Sequence, residues 1–183
     1  MIDLRVLEKQ MLAPHLRAGG TAVDFTMGNG HDTLWLSEQV GPAGRVYAFD
    51  IQEQAKRNTE ARLREAGAPD NYTLILDSHA NVERYVPGPI CAGMFNLGYL
   101  PGSDKSVTTR RPSTMAAVEA ALRLLEDGGG LLIAVYPGHE EGTLEGRMLT
   151  DYFAGLDRKQ IGVTSVRIVN SPDSPFFFLV EKR

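Results

Sequence analysis

The chain has 183 residues, 43% of them hydrophobic and 23% charged, which predicts one domain spanning residues 1–183. Its net charge of −4 excludes a protein that coats nucleic acid over its whole surface, although a local basic loop could bind a few phosphates. A lone cysteine, Cys91, excludes an internal disulfide, and no apolar run suits a signal peptide or a membrane span, so we expect a cytoplasmic protein.

Predicted strands and helices alternate along most of the chain, which is typical of a parallel sheet with crossover helices. Strands are predicted at 21–25, 45–51, 72–78, 91–97 and 130–136, and helices at 33–40, 53–66 and 113–127, the last capped by Ser113. A further helix at 145–156 precedes two strands, 162–169 and 176–182, joined by the turn-forming "NSPDSP". The expected fold is therefore α/β and Rossmann-like, with a seven-stranded, mostly parallel sheet that ends in an antiparallel C-terminal hairpin.

The stretch "DFTMGNGHDT", residues 24–33, places two glycines in the turn between the first strand and its helix. A dinucleotide-binding fingerprint would have a third glycine where Thr33 stands, and the carboxylate of Asp32 would repel a pyrophosphate. A ligand with an amino group fits better, such as the amino acid portion of S-adenosyl-L-methionine, because carboxylates and backbone carbonyls can accept its hydrogens. The alternative is a plain turn. The candidate cofactor-binding residues are Asp24, Thr26, Gly28, Asn29, Gly30, His31, Asp32 and Thr33.

Acidic residues also end the next two predicted strands. Asp50 lies 20 residues beyond Gly30, which suits a carboxylate that accepts two hydrogen bonds from a ribose diol. Asp77 ends the third strand, where side chains and backbone amides can contact an adenine edge. Alternatively, Asp50 caps the following helix and Asp77 belongs to a solvated turn. The candidate cofactor-binding residues at these two positions are Asp50, Ile51, Gln52, Asp77, Ser78 and His79.

The fourth predicted strand ends in "FNLGYLPG", residues 95–102, which we interpret as the reaction site. Asn96 and Tyr99 keep the spacing of the NPPY motif of amino-group methyltransferases, in which the Asn and a nearby carbonyl accept the hydrogens of an amine. Leu97 and Gly98 stand where that motif has two prolines, so the turn lacks their rigidity. The alternative is an ordinary strand terminus followed by turn residues.

Four motifs together resemble one small methyltransferase family: "DFTMGNGHDT", "FNLGYLPGSDK", "VYPGHEEG" and "NSPDSPFFFLVEK". The family was once labelled "putative rRNA methylases", and its members are now described as tRNA 5-(aminomethyl)-2-thiouridine methyltransferases. The resemblance runs from Gly20 to Lys182. It implies a class I S-adenosyl-L-methionine-dependent fold, a homodimer, and conversion of an aminomethyl group on the wobble uridine of the tRNA anticodon stem-loop to methylaminomethyl.

The implied reaction assigns roles to residues that the motifs contain. Asn96 and the carbonyl of Leu97 would orient the amine, and Tyr99 would stack on the base. Candidates for accepting a proton are His139, Asp32 and His31, although His139 could equally be a turn histidine with local hydrogen bonds. The reaction needs no metal ion.

The loop "GSDKSVTTRRP", residues 102–112, carries the candidate RNA-binding residues Lys105, Arg110 and Arg111 beside the predicted methyl-transfer edge. A solvated, mobile loop is the alternative. For the whole chain, the competing functions are methylation of rRNA or of a small-molecule amine, and a noncatalytic RNA-binding module. An NAD-linked dehydrogenase is disfavoured by Thr33 and by the terminal hairpin.

Overall fold

The computed structural model describes residues 3–98, 108–138 and 140–183. Its α-helices are α1 (Leu4–Leu12), α2 (His31–Val40), α3 (Glu53–Glu65), α4 (Arg111–Leu124) and α5 (Glu140–Ala154). Its β-strands are β1 (Thr21–Asp24), β2 (Arg45–Asp50), β3 (Tyr72–Leu76), β4 (Ile90–Leu97), β5 (Leu125–Val135), β6 (Ile161–Val166) and β7 (Phe176–Lys182). Two short 3-10 helices, Ala13–His15 and His79–Arg84, complete the described elements.

The seven strands form one sheet in the order β3-β2-β1-β4-β5-β7-β6. Neighbouring strands from β3 to β5 pair in parallel, whereas β7 pairs antiparallel with both β5 and β6. The predicted mostly parallel sheet with an antiparallel C-terminal hairpin is therefore confirmed. Because the order reverses at β1, a crevice opens at the carboxyl ends of β1 and β4, where open α/β sheets bind their ligands.

Apolar side chains alternate between the two faces of the sheet, so helices cover both faces. One core contains Leu12 of α1 and Leu36 of α2, and Ala55 of α3 packs against Ala48 on the same face. The opposite core contains residues of α4 and α5 together with three stacked rings, those of Phe25, Phe49 and Phe95. The Phe25 and Phe95 centroids lie 4.0 Å apart, which ties the segment after β1 to β4.

Several helix starts differ from the sequence-based expectation: α2 begins two residues early, at His31, and α5 five residues early, at Glu140, and α1 and α4 differ in their caps. The helix α1 was not predicted; it is capped by Asp3, whose carboxylate accepts a hydrogen bond from the backbone N–H of Arg5 at 3.0 Å. The helix α4 begins at Arg111 rather than after a Ser113 cap, since Pro112 fits the first turn, where a missing N–H costs nothing. The Ser113 hydroxyl instead donates to the carbonyl of Arg110 at 2.9 Å.

Within the described part of the chain, none of the helices combines the length and the apolar character needed to cross a lipid bilayer.

Candidate active site

The glycine turn between β1 and α2 is held by side chains of α3. Gly28 and Gly30 both have positive φ angles, 51° and 79°. The Thr59 hydroxyl donates to the carbonyl of Gly28 at 3.1 Å, and the Arg62 guanidinium donates to the carbonyl of Asn29 at 2.7 Å. The sequence predicted that backbone carbonyls of this turn accept hydrogens from a ligand; the carbonyls of Gly28 and Asn29 each already accept one hydrogen bond within the protein.

Asp24 lies behind the glycine turn rather than in its opening. Its side chain is fully buried, one oxygen accepts from the Thr33 hydroxyl at 2.6 Å, and the other accepts from the backbone N–H of Thr26 at 3.1 Å. Burial raises the pKa of Asp24 to about 7. Asp24, Gly30 and Thr33, predicted as cofactor-binding residues, are absent from the cavity wall; they shape the turn that carries Gly28 and Asn29.

Asp50 ends β2 and faces the cavity, as the sequence predicted. One of its carboxylate oxygens accepts from the backbone N–H of Gly28 at 3.1 Å, and the other accepts from that of Gln52 at 3.0 Å. Partial burial raises the pKa of Asp50 above its usual value. A carboxylate can accept about four hydrogen bonds, so Asp50 keeps acceptor capacity for a diol. Ile51 and Gln52 line the cavity beside it.

Asp77, Ser78 and His79 line the same cavity after β3. Asp77 accepts hydrogen bonds from the Tyr85 hydroxyl at 2.8 Å and the Asn81 amide at 3.0 Å, and these bonds lower its pKa. Ser78 caps the following 3-10 helix. His79 is buried, which lowers its pKa, and its Nδ1 lies 2.9 Å from the carbonyl of Phe25; because a carbonyl only accepts, Nδ1 carries the proton.

Asn96, near the end of β4, is held in place on three sides. Its backbone N–H donates to the Thr26 hydroxyl at 2.7 Å, and its side-chain NH₂ donates to one oxygen of Asp32 at 2.7 Å. The Tyr136 hydroxyl, just beyond β5, donates to the Asn96 side-chain oxygen at 3.2 Å. Because a carboxylate only accepts, Asp32 fixes the NH₂ on its own side and leaves the amide oxygen toward Tyr136.

The helix α1 completes this corner of the cavity. The Lys9 ammonium lies 3.0 Å from the second Asp32 oxygen and over the Trp35 ring, so both oxygens of Asp32 have a partner. Burial raises the pKa of Tyr136 to about 12, so its hydroxyl stays protonated at neutral pH. Glu8, Lys9 and Tyr136 line the cavity but were not predicted as site residues. For Tyr136 a signal was available, since it follows a predicted strand at the ligand-binding edge.

The cavity-lining residues described above belong to one cavity of about 1240 Å³. It is continuous from Asp77 and Asp50 through Gly28 to Asn96, and it extends to Arg110. His31, the first residue of α2, is exposed at its margin. Among the described ranges 3–98, 108–138 and 140–183, no three His, Cys, Asp or Glu side chains are grouped to hold a metal ion.

The predicted RNA-binding residues differ in their surroundings. Arg110 is exposed and lines the cavity, whereas Arg111 forms an ion pair with Glu141, with Nε and Oε1 3.3 Å apart. Tyr99, Lys105 and His139, the other predicted catalytic and RNA-binding residues, lie outside the described residues.

Known proteins resemble this chain in sequence and in fold. The family model "Putative rRNA methylase" matches residues 46–182. A chloroplastic tRNA (mnm(5)s(2)U34)-methyltransferase from Arabidopsis thaliana is 34% identical over 178 residues, which cover 92% of this chain and 65% of that relative. The chain thus spans slightly less than two thirds of the length of this relative.

Two solved structures extend the likeness to the whole chain. A "putative rRNA-methylase" from Clostridium thermocellum has a TM-score of 0.96 at 35% identity, covering 100% of this chain and 99% of that chain. A "putative methyltransferase" from Streptococcus mutans, in complex with SAH, has a TM-score of 0.90 at 38% identity, covering 100% of both chains. The chain therefore belongs to the "Putative rRNA methylase" family and has the class I S-adenosylmethionine-dependent methyltransferase fold.

Proposed function

We propose that this protein transfers a methyl group from S-adenosyl-L-methionine to the nitrogen of a 5-aminomethyl group on the 2-thiouridine at the wobble position of tRNA. The observation that carries the proposal is the fixed amide of Asn96, which shares one cavity with the diol acceptor Asp50. The name of the Arabidopsis relative supports tRNA as the substrate and the wobble uridine as its modified base.

The described residues fit the cofactor. Asp50 has free lone pairs for a ribose diol, and the turn at Gly28 brings backbone to the cavity wall without a side chain in between. The SAH in the Streptococcus mutans structure, at 38% identity, supports the same assignment. When bound, the donor supplies an electrophilic methyl carbon on a sulfonium, so that a nitrogen–carbon bond forms as the carbon–sulfur bond breaks and sulfur keeps the electron pair.

Positioning of the amine is the task that the chain's own residues perform. The Asn96 side-chain oxygen accepts one hydrogen bond from Tyr136 and has a second lone pair, with which it can accept a hydrogen from the amine. Asp32 prevents rotation of the Asn96 amide, since the rotated amide would point its oxygen at a carboxylate. An amine held in this way directs its own lone pair in line with the methyl carbon.

Contact with the RNA is proposed at the mouth of the cavity. Arg110 is exposed there, and its guanidinium makes no hydrogen bond or ion pair with another described residue, so the guanidinium is available for a phosphate. Arg111 shares its charge with Glu141 and would contribute less. The homodimer that the family resemblance implies belongs to the same proposal and is testable by light scattering on the purified protein.

The decisive experiment incubates the protein with S-adenosylmethionine and tRNA bearing the aminomethyl group, then measures the wobble nucleoside by mass spectrometry. We expect a gain of one methyl on the side-chain amine, and no product on tRNA lacking the aminomethyl group. Asn96→Ala should reduce the rate strongly, whereas Asn170→Ala, at an exposed position outside the cavity wall, should not. Methylation of a ring atom, or of tRNA without the amine, would contradict the proposal.

The cofactor is tested separately by calorimetric titration of S-adenosylmethionine. Asp50→Asn should weaken binding about 10-fold or more, because an amide offers fewer acceptor lone pairs and no charge to the diol. Asp151→Asn, at an exposed position on α5, is the matched control. Equal affinities for the two variants would place the donor elsewhere.

A further inference from the structure

Glu8 is a buried carboxylate that the reaction described above does not use. It lies on α1, only 6% of its surface is exposed, and it lines the cavity. In the parts of the chain that the structure describes, its carboxylate makes no hydrogen bond or ion pair. A carboxylate removed from water without a donor is costly unless a ligand supplies one.

The neighbours of Glu8 place it at the reacting end of the cavity. Burial first, and the charge of Asp32 second, raise the pKa of Glu8 to about 7 against the opposing charges of Lys9 and Arg5 on its own helix. Asp3, at the start of α1, is a weaker source of repulsion. Across the cavity, Glu8 in turn adds to the raised pKa of Tyr136. Asp32 and Tyr136 are the two side chains that hold the Asn96 amide.

We propose that Glu8 binds the primary amino group that receives the methyl and accepts a proton from it. This inference rests on the proposed function. Asp32, a candidate proton acceptor from the sequence, is less suited because its negative charge is already paired with the Lys9 ammonium. The carboxylate of Glu8, by contrast, has no partner among the described residues and lines the same cavity.

The proton transfer balances without any further reactant. At neutral pH an alkylamine is an ammonium ion, whose nitrogen has no lone pair to attack a methyl carbon. One N–H bond breaks, the proton moves to a Glu8 oxygen, and the products are a neutral amine and a neutral carboxyl group. A base whose proton affinity is matched to the working pH is effective in this role. Glu8 later releases the proton to water at the cavity mouth.

S-adenosylmethionine also carries a primary ammonium, on its amino acid portion. Glu8 could therefore bind either the ammonium of the donor or that of the substrate. We assign Glu8 to the substrate amine because its charge acts on Asp32 and Tyr136, the two side chains that hold the Asn96 amide. The glycine turn, where the amino acid portion is expected, is held by α3.

The test compares Glu8→Gln with Glu60→Gln, a matched change at an exposed position on α3. Two synthetic anticodon stem-loops, one with 5-aminomethyl-2-thiouridine and one with 2-thiouridine, are titrated without donor and followed by fluorescence anisotropy. Wild type and Glu60→Gln should bind the aminomethyl stem-loop about 10-fold more tightly than the 2-thiouridine stem-loop, because one hydrogen bond to a charged group contributes affinity of about this size. Glu8→Gln should bind both forms equally, with unchanged affinity for S-adenosylmethionine.

Turnover provides a second readout. In Glu8→Gln we expect kcat to fall about 100-fold, KM for the aminomethyl stem-loop to rise by about the 10-fold lost in affinity, and the rise of rate near pH 7 to disappear. Glu8→Asp, which keeps the carboxylate, should restore part of kcat and the pH dependence; this variant covers the case in which Glu8→Gln fails to fold.

The outcomes separate the two proposals. If wild type methylates the aminomethyl stem-loop and Glu8→Gln does so equally fast, the role of Glu8 is refuted and the function stands. If Glu8→Gln loses affinity for the donor but keeps its preference between stem-loops, Glu8 binds the donor's ammonium and the assignment is overturned. If wild type binds the donor but does not methylate the stem-loop, the proposed function fails.

Discussion

Replacing Gly30 with Ala tests how the glycine turn is built. Gly30 has a φ of 79°, and a Cβ added there would lie 2.8 Å from the Thr59 Cα and 2.9 Å from its Cγ2. The left-handed backbone costs an L-residue about 1–2 kcal/mol, and forcing a methyl group against backbone costs about 1–3 kcal/mol more. We therefore expect Gly30→Ala to lose roughly 2–5 kcal/mol of unfolding free energy, or about 5–15 °C in Tm for a chain of this size.

Gly67→Ala is the matched control, because Gly67, just after α3, has a similar φ of 63° but nothing lies within 4 Å of an added Cβ. It should lose only the backbone cost, about 1–2 kcal/mol. Urea unfolding of both variants gives the difference, which isolates the contact between the turn and Thr59. In Gly30→Ala the affinity for S-adenosylmethionine should also fall, whereas Gly67→Ala should keep it. Equal destabilisation of the two variants would refute the claim that α3 fixes the turn.

Three further predictions concern charge and hydrogen bonding. Because Glu8 has a pKa of about 7 when folded and near 4.5 when unfolded, the folded state binds more protons between pH 5 and 8, and its stability falls as pH rises. Urea unfolding should show Glu8→Gln removing up to about 3 kcal/mol of this fall. The pKa values of Asp24 and Asp50 are raised as well and contribute to the remainder; an unchanged slope in Glu8→Gln would contradict the burial of Glu8. Tyr136→Phe should lower kcat about 3- to 10-fold at unchanged donor affinity, since one neutral hydrogen bond to Asn96 is lost. Unchanged turnover would show that the Tyr136 hydroxyl does not help to position Asn96 for the reaction. Arg110→Ala should weaken tRNA binding and flatten its salt dependence more than Arg111→Ala, whose guanidinium is paired with Glu141; the reverse order in salt-dependent binding would argue against this docking edge.

Local patterns in the sequence were sufficient for the sheet and for part of the site. The position of Asp50 at a strand end, and of Asn96 at another, follows from strand periodicity together with the rule that ligands bind at the carboxyl edge. Periodicity does not reveal which strand-end acids point into the cavity. Asp24 and Asp50 have the same local setting, yet only Asp50 lines the wall, because Thr33 and Thr26 draw Asp24 behind the turn.

The α1 residues were beyond prediction for a different reason. Lys9 pairs with Asp32 of α2, and the charge of Glu8 acts on Tyr136 just beyond β5; both partners are distant in sequence. Nothing in the composition of the first residues indicates which face of the helix meets the sheet. Packing of α1 onto Leu132 and Phe177 determines that face.

The clamping of the glycine turn by α3 affects how the donor binds. Thr59, Arg62 and Asn58 hold the turn through hydrogen bonds that need no ligand. A ligand that meets such a preorganised wall does not spend its binding energy on ordering a loop, so more of that energy remains as affinity. Residues of α3 that do not touch the donor therefore influence its dissociation constant through the turn. Substitutions that disturb these hydrogen bonds would weaken cofactor binding even in a chain that still folds.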